Sequence, residues 1–82
     1  MDASSIRSEV INRLAIECEG RFDKIEVDHD LRRDLGLDSL QSMELVLNLE
    51  SVFDIEISDE EIQALETVGD VVRLVEEKKA AS

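Results

Sequence analysis

The sequence predicts an all-α domain: a four-helix bundle made of three longer helices and a short third one, with a long loop between helices one and two. Three observations predict it. Apolar residues recur at helical spacing in three separate segments. Two later segments open on a serine or threonine answered by an acid three residues on, the pattern of a helix start. The one pattern that argues for a strand is the brief "FDIEI", Phe53 to Ile57, in a chain with 0 prolines and 3 glycines, Gly20, Gly36 and Gly69.

Helix one is expected at about Ser5 to Glu19. Ile6, Val10, Ile11, Leu14 and Cys18 fall on one face, and Gly20 stands just past the helix end. The segment that follows, "RFDKIEVDHDLRRDLGL", has neither a helical nor a strand period. Its apolar anchors Phe22, Ile25, Val27, Leu31, Leu35 and Leu37 make it an ordered loop, and its length for a loop hints at function. Helix two is expected from Asp38 to about Val52, with the Asp38 carboxylate as cap and Gln41 completing a variant capping box. At about 100° per residue, Gln41, Glu44, Asn48 and Ser51 form a narrow polar face flanked by Leu40 and Leu47, while Met43, Leu45, Val46, Leu49 and Val52 cover the rest. So wide an apolar sector requires helices packed on two sides. In "SDEEIQALE", Ser58 and Glu61 start a short third helix reaching about Leu65. Thr67 and Asp70 open the fourth, whose stripe is Val68, Val71, Val72 and Val75, and whose end suits Lys78 and Lys79.

The 82 residues allow a single domain, 1–82, with a folded part of about 5–79 and no linker or repeat to divide it. A chain of this size buries only about 60 % of the surface its unfolded form exposes, so the core is small. Its 21 acidic against 9 basic residues give a net charge of -12, which repels nucleic acid and anionic lipid and attracts basic protein surfaces. A hydrophobic share of 43 % is nevertheless too high for a disordered acidic tail. The amino-terminal "MDASSIRSEV" has no basic region followed by an apolar core, and no apolar run approaches the length of a membrane span. The expectation is a soluble, monomeric, cytoplasmic protein. The single cysteine, Cys18, excludes an internal disulfide and multi-cysteine metal sites, and its place on the apolar face marks it as a small hydrophobe.

Little catalytic machinery is visible. His29, the lone histidine, lies in the loop between Asp28 and Asp30 without a nucleophile near it in sequence, and Ser39 has no strand-to-helix elbow to occupy. A calcium loop in "DHDLRRDLGLDS" fails: Arg33 stands where the turn glycine belongs and Ser39 where the bidentate glutamate belongs. No metal site is expected. What remains is Ser39 itself, in the first turn of helix two. A side chain there projects beside unsatisfied amides and the positive end of the helix dipole, a place that tolerates an attached phosphate. Alone, it is an ordinary helix-starting serine. From Asp34 to Val72, however, the chain has acidic residues and no Lys or Arg, so a single-sign surface begins at that hydroxyl and would steer a basic partner to it.

The stretch "DLGLDSLQSMELVLNLE", Asp34 to Glu50, resembles the signature of acyl carrier proteins and related thiolation domains, and "FDIEISDEEIQALETVGDVV" is similar to their third and fourth helices. The resemblance runs from about Ile6 to Val75. It implies that Ser39 accepts a 4′-phosphopantetheine arm from coenzyme A, transferred by a separate phosphopantetheinyl transferase that supplies Mg2+ and the base. The arm then carries acyl groups as thioesters, and the protein catalyses nothing. By the same match Asp38, Leu40, Gln41, Glu44, Leu47 and Glu50 would be read by the transferase and by acyl-transferring, condensing and reducing enzymes with basic surfaces. Met43, Val46, Phe53, Ile62 and Val68 would line a slot for the acyl chain.

Two departures bear on the pathway, fatty acid, specialised lipid or polyketide biosynthesis. Gln41 and "ESVF", Glu50 to Phe53, stand where many fatty-acid carriers are acidic, and the loop "VDHDLRRDLG" is shorter than theirs and carries Arg32 and Arg33. Both favour a dedicated carrier of a specialised pathway. A reading from another class is an unmodified acidic helical adaptor that binds a basic enzyme surface, and fold and charge alone do not separate the two.

Overall fold

The last three helices each begin on a reciprocal cap, and these caps fix where the elements stand. In the computed structural model, which describes residues 3–81, helix α1 spans Ala3–Glu17, α2 Ser39–Phe53, α3 Asp59–Gln63 and α4 Val68–Ala81. Residues 1, 2 and 82 of the expected domain lie outside the described residues. Before α2, the Asp38 carboxylate accepts from the Gln41 N–H at 2.8 Å and Gln41 Oε1 accepts from the Asp38 N–H at 3.2 Å. Ser58 and Glu61 do the same for α3, and Thr67 and Asp70 for α4. Each pair satisfies backbone donors that the first helical turn leaves without an intrahelical acceptor.

The ends differ from expectation by a residue or two, for local reasons. α1 stops at Glu17, because Glu19 joins Gly20 in the left-handed region, with φ of 56° and 70°. α3 ends at Gln63, short of Leu65. α2 runs to Phe53 and closes on a left-handed Asp54, a non-glycine residue that the local sequence does not mark as a helix end. The Lys79 ammonium of α4 donates to the Phe53 carbonyl at 3.1 Å, so the far end of the chain caps α2.

The apolar stripes of the three longer helices meet in one core. α1 packs on α4 and α2, and α2 also touches α3 and α4. Ile6, Val10 and Leu14 of α1 with Cys18 just after it, Leu45, Val46, Leu49 and Phe53 of α2, and Val68, Val71, Val72 and Val75 of α4 are buried, and the described core holds no polar or charged residue. Each fully buried leucine or valine contributes about 1.5–3 kcal/mol relative to exposure. Two residues of the expected apolar sector lie outside it: Met43 and Val52 are each 38 % exposed, because only α1, α3 and α4 cover α2 and its outer edge has no helix against it. Among the described residues no strand forms, so "FDIEI" instead sends Phe53, Ile55 and Ile57 into the core as a capped helix end and a turn.

The long loop is tied down by backbone bonds to the connection between α3 and α4. The Leu31 N–H donates to the Glu66 carbonyl at 2.8 Å, the Val68 N–H to the His29 carbonyl at 3.0 Å, and the Gly69 N–H to the Val27 carbonyl at 2.8 Å. Gly69 permits that approach, since a Cβ there would stand 3.1 Å from the Val27 oxygen. Val27, expected as an apolar anchor, is held by its carbonyl instead and leaves its side chain 42 % exposed. The other anchors sit inward: Ile25, Leu31, Leu35 and Leu37 are buried, and Phe22 is half-buried beneath the Arg21 guanidinium at 5.5 Å from its ring centre. Arg21 also donates to the Cys18 and Leu35 carbonyls, joining the end of α1 to the end of the loop.

Candidate functional site

The site is built where the loop delivers the chain into α2. Asp30 accepts at one carboxylate oxygen from the N–H groups of Arg33 and Arg32, at 2.8 and 2.9 Å, and these bonds hold its carboxyl below the usual 3.8. A single helical turn follows, in which the Asp34 and Leu35 N–H groups donate to the Asp30 carbonyl and the Gly36 N–H to that of Arg32. Gly36 ends the turn at φ 70°, a region costly for residues with a Cβ, and the chain reverses into Leu37, Asp38 and α2. This reversal returns Arg32 to Ser39: Arg32 Nη2 donates to Ser39 Oγ at 3.5 Å.

Ser39 is the first residue of α2 and is exposed. Capping falls to Asp38, so the serine hydroxyl is not spent on the helix start. It stands at the rim of a half-open cavity of about 570 Å³ between α2, α3 and the loop. Leu31, Leu45, Val46 and Leu65 give the cavity apolar walls, Met43 and Ile62 stand at its sides, and Asp30, Arg32, Gln63 and Glu66 supply polar groups. Of the five residues expected in an acyl slot, Met43, Val46 and Ile62 line this space, whereas Phe53 and Val68 are core residues away from it.

The expected partner-facing residues divide in two. Leu40 is 67 % exposed and Leu47 56 %, with exposed Glu44 on the same stripe of α2, so these leucines are not core residues. Gln41 and Glu50 are engaged within the fold. Gln41 closes the capping box of α2, and the half-buried Glu50 accepts from the Ile57 N–H at 2.9 Å, holding the turn into α3. Near the Leu40–Leu47 stripe, burial pushes the Glu17 carboxyl up, and the adjacent Glu44 and then Glu19 push it further.

His29 serves the fold, since its Nδ1 accepts from the Glu26 N–H at 3.0 Å. Burial pushes the Cys18 thiol up against the opposing effect of Arg21, which keeps it a packed hydrophobe. Among the described residues no cluster of His, Cys, Asp and Glu could hold a metal ion, and no helix is long and apolar enough to cross a membrane. Arg32 is the site residue that the sequence alone does not point to. It is visible there as a loop charge, but its closeness to Ser39 depends on the Asp30 turn and Gly36, whose geometry no single residue announces.

The fold and site together are a small helical bundle that offers an exposed hydroxyl at the start of α2 beside a cavity. The chain belongs to the phosphopantetheine-binding family: the family model described as "Phosphopantetheine attachment site" matches residues 5–75. It is an acyl-carrier-type domain of that family. A Mycobacterium tuberculosis structure described as a candidate acyl carrier protein is 35 % identical, with a TM-score of 0.80 over 87 % of this chain and 95 % of that one. An acyl carrier protein from Thermotoga maritima shares the fold at 22 % identity, with a TM-score of 0.84 over 99 % of this chain and 94 % of that one. The residues around Ser39 fit the family's cofactor: an exposed hydroxyl at a helix amino end, a guanidinium beside it and a cavity at its side.

Proposed function

We propose that Ser39 is the attachment residue for 4′-phosphopantetheine in this carrier, and that the protein acts as a single monomeric domain in the cytoplasm. The observation that carries this reading is the position of the Ser39 hydroxyl, exposed in the first turn of α2, uncommitted to capping and at the rim of the cavity. When bound, the arm supplies a terminal thiol that holds acyl groups as thioesters. The chain's own residues do the rest. Asp38 holds the start of α2 and Gln41 closes that cap. Leu40 and Leu47 offer apolar contact on an acidic helix, and Glu44 supplies charge for a basic partner. The partners are a phosphopantetheinyl transferase and acyl-processing enzymes with basic docking faces. Met43, Val46 and Ile62 are placed to shelter part of a cargo.

Gln41 in place of an acid, and Arg32 and Arg33 in the loop, support a dedicated carrier of a specialised lipid or polyketide pathway over the housekeeping fatty-acid role. The deciding experiment is incubation with coenzyme A, Mg2+ and a promiscuous transferase, followed by intact-mass measurement. A gain of one phosphopantetheinyl group that vanishes in Ser39→Ala is expected. An unchanged mass with a transferase shown to be competent would favour the unmodified adaptor.

A further inference from the structure

We propose that Arg32 is the counter-cation of the phosphodiester formed at Ser39, pinning the root of the attached arm toward the mouth of the adjoining cavity. The proposal rests on Ser39 being the attachment residue and goes beyond it by assigning a positioning residue and a direction to the arm.

Four observations converge on it. Arg32 Nη2 already points at Ser39 Oγ, but at 3.5 Å it makes a long contact with a neutral acceptor. A phosphodiester on that oxygen would bring charged oxygens to the same guanidinium, and charge-assisted bonds of this kind are shorter and about twice as strong. The Arg32 backbone is fixed at both ends, its N–H donating to Asp30 Oδ1 at 2.9 Å and its carbonyl accepting from the Gly36 N–H at 3.0 Å, so the side chain starts from a set position. Among the described residues no carboxylate forms an ion pair with it, although the Asp30 carboxylate lies near enough to feel its charge. Finally, among the described residues Arg32 is the sole cationic side chain lining the cavity, whose rim also carries Asp30 and Glu66. Without Arg32, a new anion at Ser39 would join a chain of net charge -12 beside a cavity lined by Asp30 and Glu66, with the helix dipole in its favour.

The geometry also sets which way the arm leaves. A phosphate held by Arg32 lies on the side of Ser39 that faces Met43 and Ile62, away from the exposed stripe of Leu40, Glu44 and Leu47. The partner-facing ridge then stays clear while the cargo rests beside the cavity.

The test is a cycle of four proteins at low salt, wild type and Arg32→Gln, each before and after complete conversion with excess transferase, followed by thermal melts. Attachment should raise the wild-type Tm by about 2–4 °C relative to its effect in Arg32→Gln, as expected for one exposed charge-assisted pair in a domain of this size. Arg32→Lys should recover part of the difference, and added salt at about 0.5 M should remove most of it. In ¹⁵N spectra the Arg32 side-chain Nε–H signal should move on conversion. A wild-type chain that gains no mass would overturn the Ser39 reading and this proposal together. Full conversion with equal Tm changes in both proteins and an unmoved Nε–H signal would overturn the role of Arg32 alone.

Discussion

At the end of α1, the Glu17 carboxyl lies against Glu44 of α2, and burial together with that neighbour raises it above its ordinary 4.5. A raised carboxyl takes up its proton more readily folded than unfolded. Its contribution is therefore fully present below pH 4.5 and is lost as pH rises through the folded value. The urea midpoint of the wild type should increase on acidification from about pH 7 toward 5, and the increase should be smaller in Glu17→Gln; identical pH profiles would refute the coupling. Asp30 and Asp70 act in the opposite sense. Backbone bonds lower both, so their stabilisation holds above pH 3.8 and disappears as pH falls through their folded values. Of these residues, Asp70 is legible in the sequence, because its partner Thr67 is three positions away. The Glu17–Glu44 pair joins two helices, and nothing in either local segment signals it. Glu50 is hidden for the same reason: on a helical wheel it is a surface acid, while in the fold it holds the Ile57 N–H.

The helices are legible because their starts are local chemistry. Asp38 with Gln41, Ser58 with Glu61 and Thr67 with Asp70 each close a reciprocal pair within one turn. Asp38→Ala should accordingly cost about 1 kcal/mol in chemical denaturation, with the slope of the transition unchanged. A loss near zero would mean that Asp38 is not the cap and that Ser39 has taken its place, which would undercut the free hydroxyl on which attachment depends. Helix ends are harder to read. Glu19 and Asp54 adopt left-handed backbone without being glycine, and Asp54 is accompanied by Lys79 from another helix. The long loop is legible as ordered, since its leucines have to be buried, but its path is not. That path is set by bonds that tie Leu31, His29 and Val27 to the start of α4, far away in sequence. Arg32 reaches Ser39 through the turn at Asp30 and the reversal at Gly36, a local geometry that no single residue announces.

At the scale of the whole molecule, charge and shape act together. The segment from Asp34 to Val72 carries no Lys or Arg, and within it α2 exposes Leu40 and Leu47 around Glu44. An acidic face of this kind attracts a basic enzyme from a distance, and the Debye length of about 10 Å at roughly 0.1 M salt limits how far. Glu44→Lys should lower transferase kcat/KM several-fold at low ionic strength and much less at high salt; an equal loss at all ionic strengths would argue for a short-range contact instead. Composition already points to this behaviour, and the fold adds the location of the apolar contacts within the acidic field. The central claim, that Ser39 carries the arm, is tested most directly by fragmentation mass spectrometry of the converted protein. Trypsin leaves the segment from Asp34 to Arg73 in one piece, since no Lys or Arg interrupts it. The phosphopantetheinyl mass is predicted on Ser39 of that segment, with Ser42 unmodified; the same mass on Ser42 or on another hydroxyl, or its absence from the segment, would contradict the assignment.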